Sequence, residues 1–378
     1  MLNSESRLRD FPTLASQAYL NTAAESIPPQ GVGAAIQRYW QDKLHGMSGR
    51  DAHYARVEDC RVVCARLLGL QTSEIGFASC SSEAYNLLAT ALNLAEDEEV
   101  VVTDLDFPAG ATPWLRAAAA PPVRLWRARE GRLEAGDLIP LLNERTRLVQ
   151  ISLVSFYNGH RVAWEPLRDA VRTRAPNAVL AADITQAFGR VVLDCTDADI
   201  MISSTHKWTL GIHGGCVIGL PGAQADRLTT RAGGWNHLVN AFSTDRFERA
   251  VPKRGAASYS VGMPNFVALY ALHASLRYLE TVGIEAIGRH ADPLVAAVHQ
   301  GLDILGLAPM APLESGQPTG IVAFRHPQAA AIHAALAAEN IHVMHSAGRL
   351  RVAVHGYNTA EDVERLLGVL ARQPGLRR

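Results

Sequence analysis

The sequence predicts an α/β protein, with a mostly parallel sheet sandwiched by helices and followed by a small α+β unit. Three observations predict it. Short apolar runs alternate with helical patterns through the first two thirds of the chain. Composition shifts near residue 230 into a stretch, 231–264, rich in Gly, Arg and Ser. The last third then offers a strand, a helix, two short strands and a final helix.

The elements follow in order. After Tyr54, apolar side chains at Val57, Cys60, Val63, Cys64, Leu67 and Leu68 recur at helical spacing. A strand is expected over 74–79 (EIGFAS) and a helix over 82–94. Further strands are expected over 99–104, 147–154, 178–184, 198–204 and 215–220. These runs are almost continuously apolar, as in strands covered on both faces. The segment 231–264 reads as loop, and a long helical pattern begins near Pro264. A strand over 320–324, a helix over 327–339, strands near 341–344 and 350–354, and a helix from Thr359 complete the chain.

Length and charge bound the function. At about 150 residues per domain, 378 residues suggest two to three domains. The 48% hydrophobic content excludes a disordered chain. With 36 basic against 37 acidic residues and no basic run, a nucleic-acid partner is not expected. The five cysteines include no C-x-x-C pair, so a reduced, cytoplasmic protein is expected. The first residues have no apolar core and no run approaches about 20 apolar residues, so neither signal peptide nor membrane span is expected.

The chemistry concentrates in 183–211. Asp183 closes one expected strand, and Lys207 follows another in Ser204-Thr205-His206-Lys207-Trp208. In an open parallel sheet, sites form at the carboxyl ends of strands, so both residues belong at one edge. A desolvated lysine there loses its proton readily and forms Schiff bases. With an acidic partner it suits pyridoxal 5′-phosphate (PLP). A phosphate would find donors at Ser79-Cys80-Ser81-Ser82, between a strand and a helix start. Each feature has a plain alternative: a surface lysine, an aspartate in a turn, a serine helix cap. His206/His213 and His342/His345 lack any zinc-type spacing, and no metal site is expected. No G-x-G-x-x-G motif supports a nicotinamide enzyme.

From Ala18-Tyr19-Leu20-Asn21-Thr22 to Tyr357-Asn358-Thr359, the chain resembles the class V aminotransferase family of fold-type I PLP enzymes. The most specific match is Asp183-x-x-Gln186-Ala187 with Ser204-x-His206-Lys207-Trp208. The resemblance implies a seven-stranded-type sheet in a large PLP-binding domain, 31–260. An N-terminal segment, 1–30, would contribute to the active site, and 261–378 would form the small domain. It implies that Lys207 holds PLP and shuttles the α-proton, and that Asp183 pairs with the pyridine nitrogen. Gln186 would bond the phenolic oxygen, and Ser81, Ser82, Ser204 and His206 would contact the phosphate. Phe107 would stack on the ring, with a core side chain as the plain alternative. Arg351 would grip the substrate carboxylate; Arg349, two positions away, shares its strand face. An amino-acid-type substrate and a homodimer with a shared active site are also implied.

The sequence departs from the family in four places. Phe156 replaces an Asn that bonds the cofactor oxygen. Met263, in Gly262-Met263-Pro264-Asn265, replaces a Thr that reaches the neighbouring subunit's phosphate. Ala353 stands where Ser is frequent. The segment 340–348 lacks the cysteine of the desulfurases. Amino-group transfer is therefore expected first, then β-elimination by a C–S lyase or epimerisation of the isopenicillin N type. A non-catalytic sensor or scaffold is the alternative of another class. Asn21, His45, Trp235 and His237 are candidates for the substrate side chain, or plain loop residues. Arg231, Arg246, Arg249 and Arg254 hint at an anionic substrate or a dimer contact.

Overall fold

A computed structural model describes residues 1–116, 120–314 and 319–373. The strands are β1 (Ala18–Tyr19), β2 (Ile75–Ala78), β3 (Glu99–Thr103), β4 (Val123–Trp126), β5 (Thr146–Ser152), β6 (Val179–Asp183), β7 (Ile200–Ser204), β8 (Cys216–Gly219), β9 (Ile321–Arg325), β10 (Ile341–His342), β11 (Met344–Ser346) and β12 (Arg349–Ala353). The helices are α1 (Ser4–Asp10), α2 (Gln30–Lys43), α3 (Arg50–Leu68), α4 (Ser81–Leu92), α5 (Pro108–Arg116), α6 (Ala135–Leu138), α7 (Trp164–Arg174), α8 (Phe266–Val282), α9 (Ile284–Ile304), α10 (Ala329–Ala338) and α11 (Ala360–Ala371).

Seven strands form the large sheet in the order β2-β8-β7-β6-β5-β3-β4. β3 to β7 pair in parallel, while β8 runs antiparallel to both β7 and β2. Strand alternation buries both faces. Val101, Val149, Ile151, Leu180, Ala182, Met201 and Val217 join one apolar cluster with α3, α7 and α8 side chains. Val100, Val102, Leu148, Val179, Ala181, Ile200, Ile202 and Ile218 join another with α4. That two-sided burial is the reason the sequence shows continuous apolar runs instead of clean alternation.

The smaller sheet, β11-β12-β9, is antiparallel and packs with α9, α10 and α11 around a core of its own. The chain's start ties the two units together. β1 pairs in parallel with β10, and Asn21 bridges to Ala353.

Three sequence expectations change in detail. The expected strand near 341–344 is two elements, because β10 pairs with β1 while β11 pairs with β12. The long helical pattern after Pro264 breaks at Gly283, whose φ of 87° no helix continues through. β4 was not foreseen: it is a four-residue edge strand after two prolines, with Arg124 breaking its apolar run.

Gly189 shows how tightly the site-bearing turn is packed. Its φ is +96°, and an added Cβ would lie 2.4 Å from the carbonyl oxygen of Trp208. Trp208 is fully buried and adjoins Lys207. Gly189→Ala is expected to cost at least about 2 kcal/mol, from backbone strain plus the clash. Urea unfolding against the unaltered chain measures it, and a cost under 0.5 kcal/mol would contradict the packing argument.

Candidate active site

The carboxyl ends of the sheet strands converge on one cavity of about 210 Å³. β5 brings Ser152, β6 brings Asp183 with Thr185 and Gln186 just after it, and β7 brings Ser204, followed by His206 and Lys207. The loop after β3 adds Phe107, the loop after β5 adds Phe156, and the start of α4 adds Cys80, Ser81 and Ser82.

Lys207 is the least compensated group in the cavity. Among the described residues its amine has no hydrogen-bond partner and no ion pair; the Phe107 ring centroid lies 5.3 Å from Nζ. Burial pushes its pKa down to about 8, Asp183 works against that shift, and Arg351 adds to it. Asp183 is 8% exposed and fixed by two donors. Tyr85 Oη donates to Oδ2 at 2.6 Å, and the Thr185 N–H donates to Oδ1 at 2.8 Å.

The other expected residues fall as follows. Gln186 Oε1 accepts from Trp208 Nε1 at 2.6 Å, and Nε2 donates to Ala23 O at 3.1 Å, leaving one amide N–H. Ser204 Oγ donates to Ser81 Oγ at 3.1 Å. The N-cap position of α4 is Cys80, which makes no capping hydrogen bond, so neither Ser81 nor Ser82 acts as the expected cap. Among the described residues, the first-turn N–H groups of α4 thus have no side-chain acceptor. His206 stacks on His213 at 4.2 Å, and burial, then Lys207 and His213, push it down to about 4. Phe107 is 44% exposed and meets Phe156 edge to face, which removes the core-side-chain alternative.

Arg351 lies on β12 of the small unit; like Asn21 it is not among the residues lining the cavity, and it meets the cavity wall at Phe156. It donates to Phe156 O at 2.7 Å, and its Nε is buried without a partner. Burial pushes its pKa down to about 10, with Arg349 adding to the shift. Asn21 lies beside the same strand, and its Oδ1 is also buried and unpartnered. Trp235 is not among the residues lining the cavity; it packs against Phe242. His237 bonds Ala232 O, and His45 is exposed. In the 231–262 loop, Arg249 pairs with Asp245 and Arg254 with Asp226, so those two charges are already matched.

Sequence reasoning missed Tyr85 and Asp106. Tyr85 stands four residues after Ser81, on the same helical face, which is the one signal available. Asp106 accepts from the Ser152 N–H at 2.6 Å and the Thr103 N–H at 3.1 Å. Burial pushes its carboxyl up to about 7 despite both donors.

A partnerless amine of depressed pKa, an anchored carboxylate at a neighbouring strand end and uncapped helix N–H groups beside serine hydroxyls are a donor set that PLP would fit. The fold and the family match place the chain among the PLP-dependent enzymes of fold type I. Residues 18–366 match the model of the class-V aminotransferases, and the chain belongs to that family, whose members are PLP-dependent and act on amino acids. It is 25% identical over 363 residues to an uncharacterized aminotransferase of Bacillus subtilis, covering 96% of this chain and 95% of that one. It is also 25% identical to a probable cysteine desulfurase of Pyrococcus abyssi, covering 96% and 95%. In fold it is similar to the apo cysteine desulfurase of Thermococcus onnurineus NA1, with a TM-score of 0.86 at 24% identity, covering 98% and 97%. A cystine C–S lyase in complex with cysteine persulfide gives the same TM-score of 0.86 at 19% identity, covering 96% and 99%. Among the described residues no helix is long and apolar enough to cross a membrane.

Proposed function

We propose that this enzyme transfers the amino group of an α-amino acid to a 2-oxo acid, with Lys207 as the residue that carries PLP. The observation that carries the reading is the unpartnered Lys207 amine, held near 8 in one cavity with the anchored carboxylate of Asp183. Bound PLP supplies an electron sink for the pair left when a bond to the substrate's α-carbon breaks. The chain's own side chains do the rest. Lys207 would reach its neutral, nucleophilic form as pH approaches 8, and with its amine free it would take the substrate's α-proton and pass it on without giving it back to the same carbon. Asp183 holds a proton on the pyridine nitrogen. Gln186 offers its remaining N–H to the ring oxygen, in a site where Phe156 offers none. Ser81, Ser82, Ser204 and His206 would hold the phosphate, Phe107 would lie against the ring, and Arg351 would grip the substrate carboxylate with its planar guanidinium.

The segment 340–348 contains no cysteine, which argues against a persulfide formed there. A homodimer is supported by a set of exposed apolar side chains that a second copy would cover: Trp40, Leu44, Met47, Phe242, Phe247 and Met263. Met263 offers no hydrogen bond to a neighbour's phosphate. Five free cysteines support a reducing, cytoplasmic setting. We assign 1–30, 31–260 and 261–378 to an N-terminal segment, a large unit and a small unit, with α8 of the last packing into the core of the large sheet.

The test is the visible spectrum of the PLP-loaded protein with a panel of L-amino acids. We expect one amino acid to bleach the band stably and a 2-oxo acid to restore it. A band that recovers unaided while a keto acid and a leaving group accumulate would replace transfer by elimination. Arg351→Met should raise KM roughly 10- to 100-fold, the scale of one lost charge-assisted pair of hydrogen bonds. An unchanged KM would remove Arg351 from the substrate site.

A further inference from the structure

We propose that Arg349 is a second anion-binding arginine of the substrate site, and that the substrate is an amino acid bearing a further carboxylate on its side chain. The inference rests on the reading of the cavity given above. An ordinary α-amino acid brings one carboxylate, and Arg351 alone suffices for it. Yet Arg349 is buried beside it: the two are 4% and 3% exposed. Two positions apart on β12, they leave the same strand face. They donate to successive carbonyls, Arg349 to Tyr157 O at 2.5 Å and Arg351 to Phe156 O at 2.7 Å.

Neither charge is neutralised. Among the described residues, no carboxylate forms an ion pair with either arginine, and the Nε of each is buried without a partner. The strand register sets Arg325 opposite Arg349, which adds a third cation; it donates to Tyr157 Oη. The Arg349 guanidinium lies 4.2 Å from the centroid of the Tyr157 ring and 5.7 Å from that of Phe156. Aromatic faces orient a guanidinium and offset part of its charge, but they leave it a cation. Burial lowers the pKa of Arg349, and Arg325 adds to that. Buried cations with no acid among them are unfavourable in isolation and are relieved by an anion that takes bidentate hydrogen bonds.

Phe156 ties this pair to the chemistry. Its ring lines the Lys207 cavity, its carbonyl receives Arg351, and Lys207 senses the Arg351 charge. Two residues along a strand span about 6.6 Å. The carboxylates of a short dicarboxylic amino acid lie closer together than that, and the long arginine side chains let two guanidiniums converge on them from Cα atoms spaced so. Among the loop arginines, Arg249 and Arg254 already have their acids and Arg231 and Arg246 are exposed, so the buried, unmatched pair is the one on β12.

The test is calorimetry of the PLP-loaded protein with succinate and with butyrate, which differ by one carboxylate. It is paired with kcat/KM for aspartate against its isosteric amide, asparagine. We expect succinate to bind at least tenfold more tightly than butyrate, and aspartate to be favoured at least tenfold. Arg349→Met should shrink both ratios about tenfold, and Arg349→Lys should keep most of each. Ratios near one in the unaltered enzyme, or ratios that survive Arg349→Met, would overturn the proposal. If no amino acid turns over while the succinate preference and its loss in Arg349→Met persist, the two-anion site stands and the transfer reaction falls.

Discussion

Lys207→Met is expected to abolish turnover while making the cofactor-free protein more stable at neutral pH. The two effects come from the same cause. The amine is held without a partner in a largely desolvated cavity, which lowers its pKa from 10.5 to about 8. At pH 7 the lysine is protonated in both folded and unfolded chains, so the folded state bears the full penalty of that charge. A shift of this size corresponds to roughly 3 kcal/mol, and water in the cavity reduces it to about 2. Methionine keeps an unbranched stem against the same walls and removes the charge, so a gain of about 2 kcal/mol is expected. As pH rises from about 8 towards 10.5, the folded lysine loses its proton before the unfolded one does. The penalty is then relieved, and the advantage of methionine shrinks. Urea unfolding at pH 7 and pH 10 measures both limbs. Loss of a positioned acid–base group alone removes roughly 10²- to 10⁴-fold of rate, and here the covalent anchor is lost as well. A variant that is inactive and also less stable at pH 7 would mean that stabilising interactions of the Lys207 ammonium outweigh its desolvation.

Much of the fold and the centre of the site could be read from the residues, and the omissions have physical reasons. Asp183 and Lys207 were legible because one closes and the other follows a strand buried on both faces, and such strands leave a clear apolar signature. β4 was not legible, since an edge strand of four residues needs little apolar surface. α3 begins at Arg50, before the residue from which its pattern could be read, because its first turn is mostly exposed and lacks periodicity. Tyr85 and Asp106 escaped for a different reason. Their roles arise where separate strands and a helix converge, and no local spacing encodes that. Cys80 was legible as part of the segment between strand and helix, and the structure adds that it, and not a serine, takes the N-cap position. Arg349 was visible as a neighbour on the face of Arg351, but its lack of a counter-charge required knowing which acids lie near.

Asp183→Asn is expected to lower turnover by roughly 10²- to 10³-fold, the scale of losing one preorganised electrostatic contact in a desolvated site. Two mechanisms act together. An amide cannot hold a proton on the pyridine nitrogen by charge. It also fits its own surroundings poorly. Tyr85 Oη and the Thr185 N–H both donate to the carboxylate, at 2.6 and 2.8 Å. Asparagine has one oxygen, so its amide N–H₂ must face one of those donors. The buried Tyr85 hydroxyl can turn to accept, whereas the Thr185 N–H cannot, so the oxygen is expected to stay on Thr185. A second readout separates these effects from a general collapse of the site. The Asp183 charge is what holds the Lys207 pKa up against burial. Its removal should therefore drop the Lys207 midpoint below 8, as followed by NMR of the reductively ¹³C-methylated amine. Tyr85→Phe keeps the charge and removes one donor, so it should leave that midpoint near 8 and cost far less rate. A midpoint unmoved in Asp183→Asn would show that the carboxylate and the amine do not share one electrostatic field, and the assignment of Asp183 would fail with it.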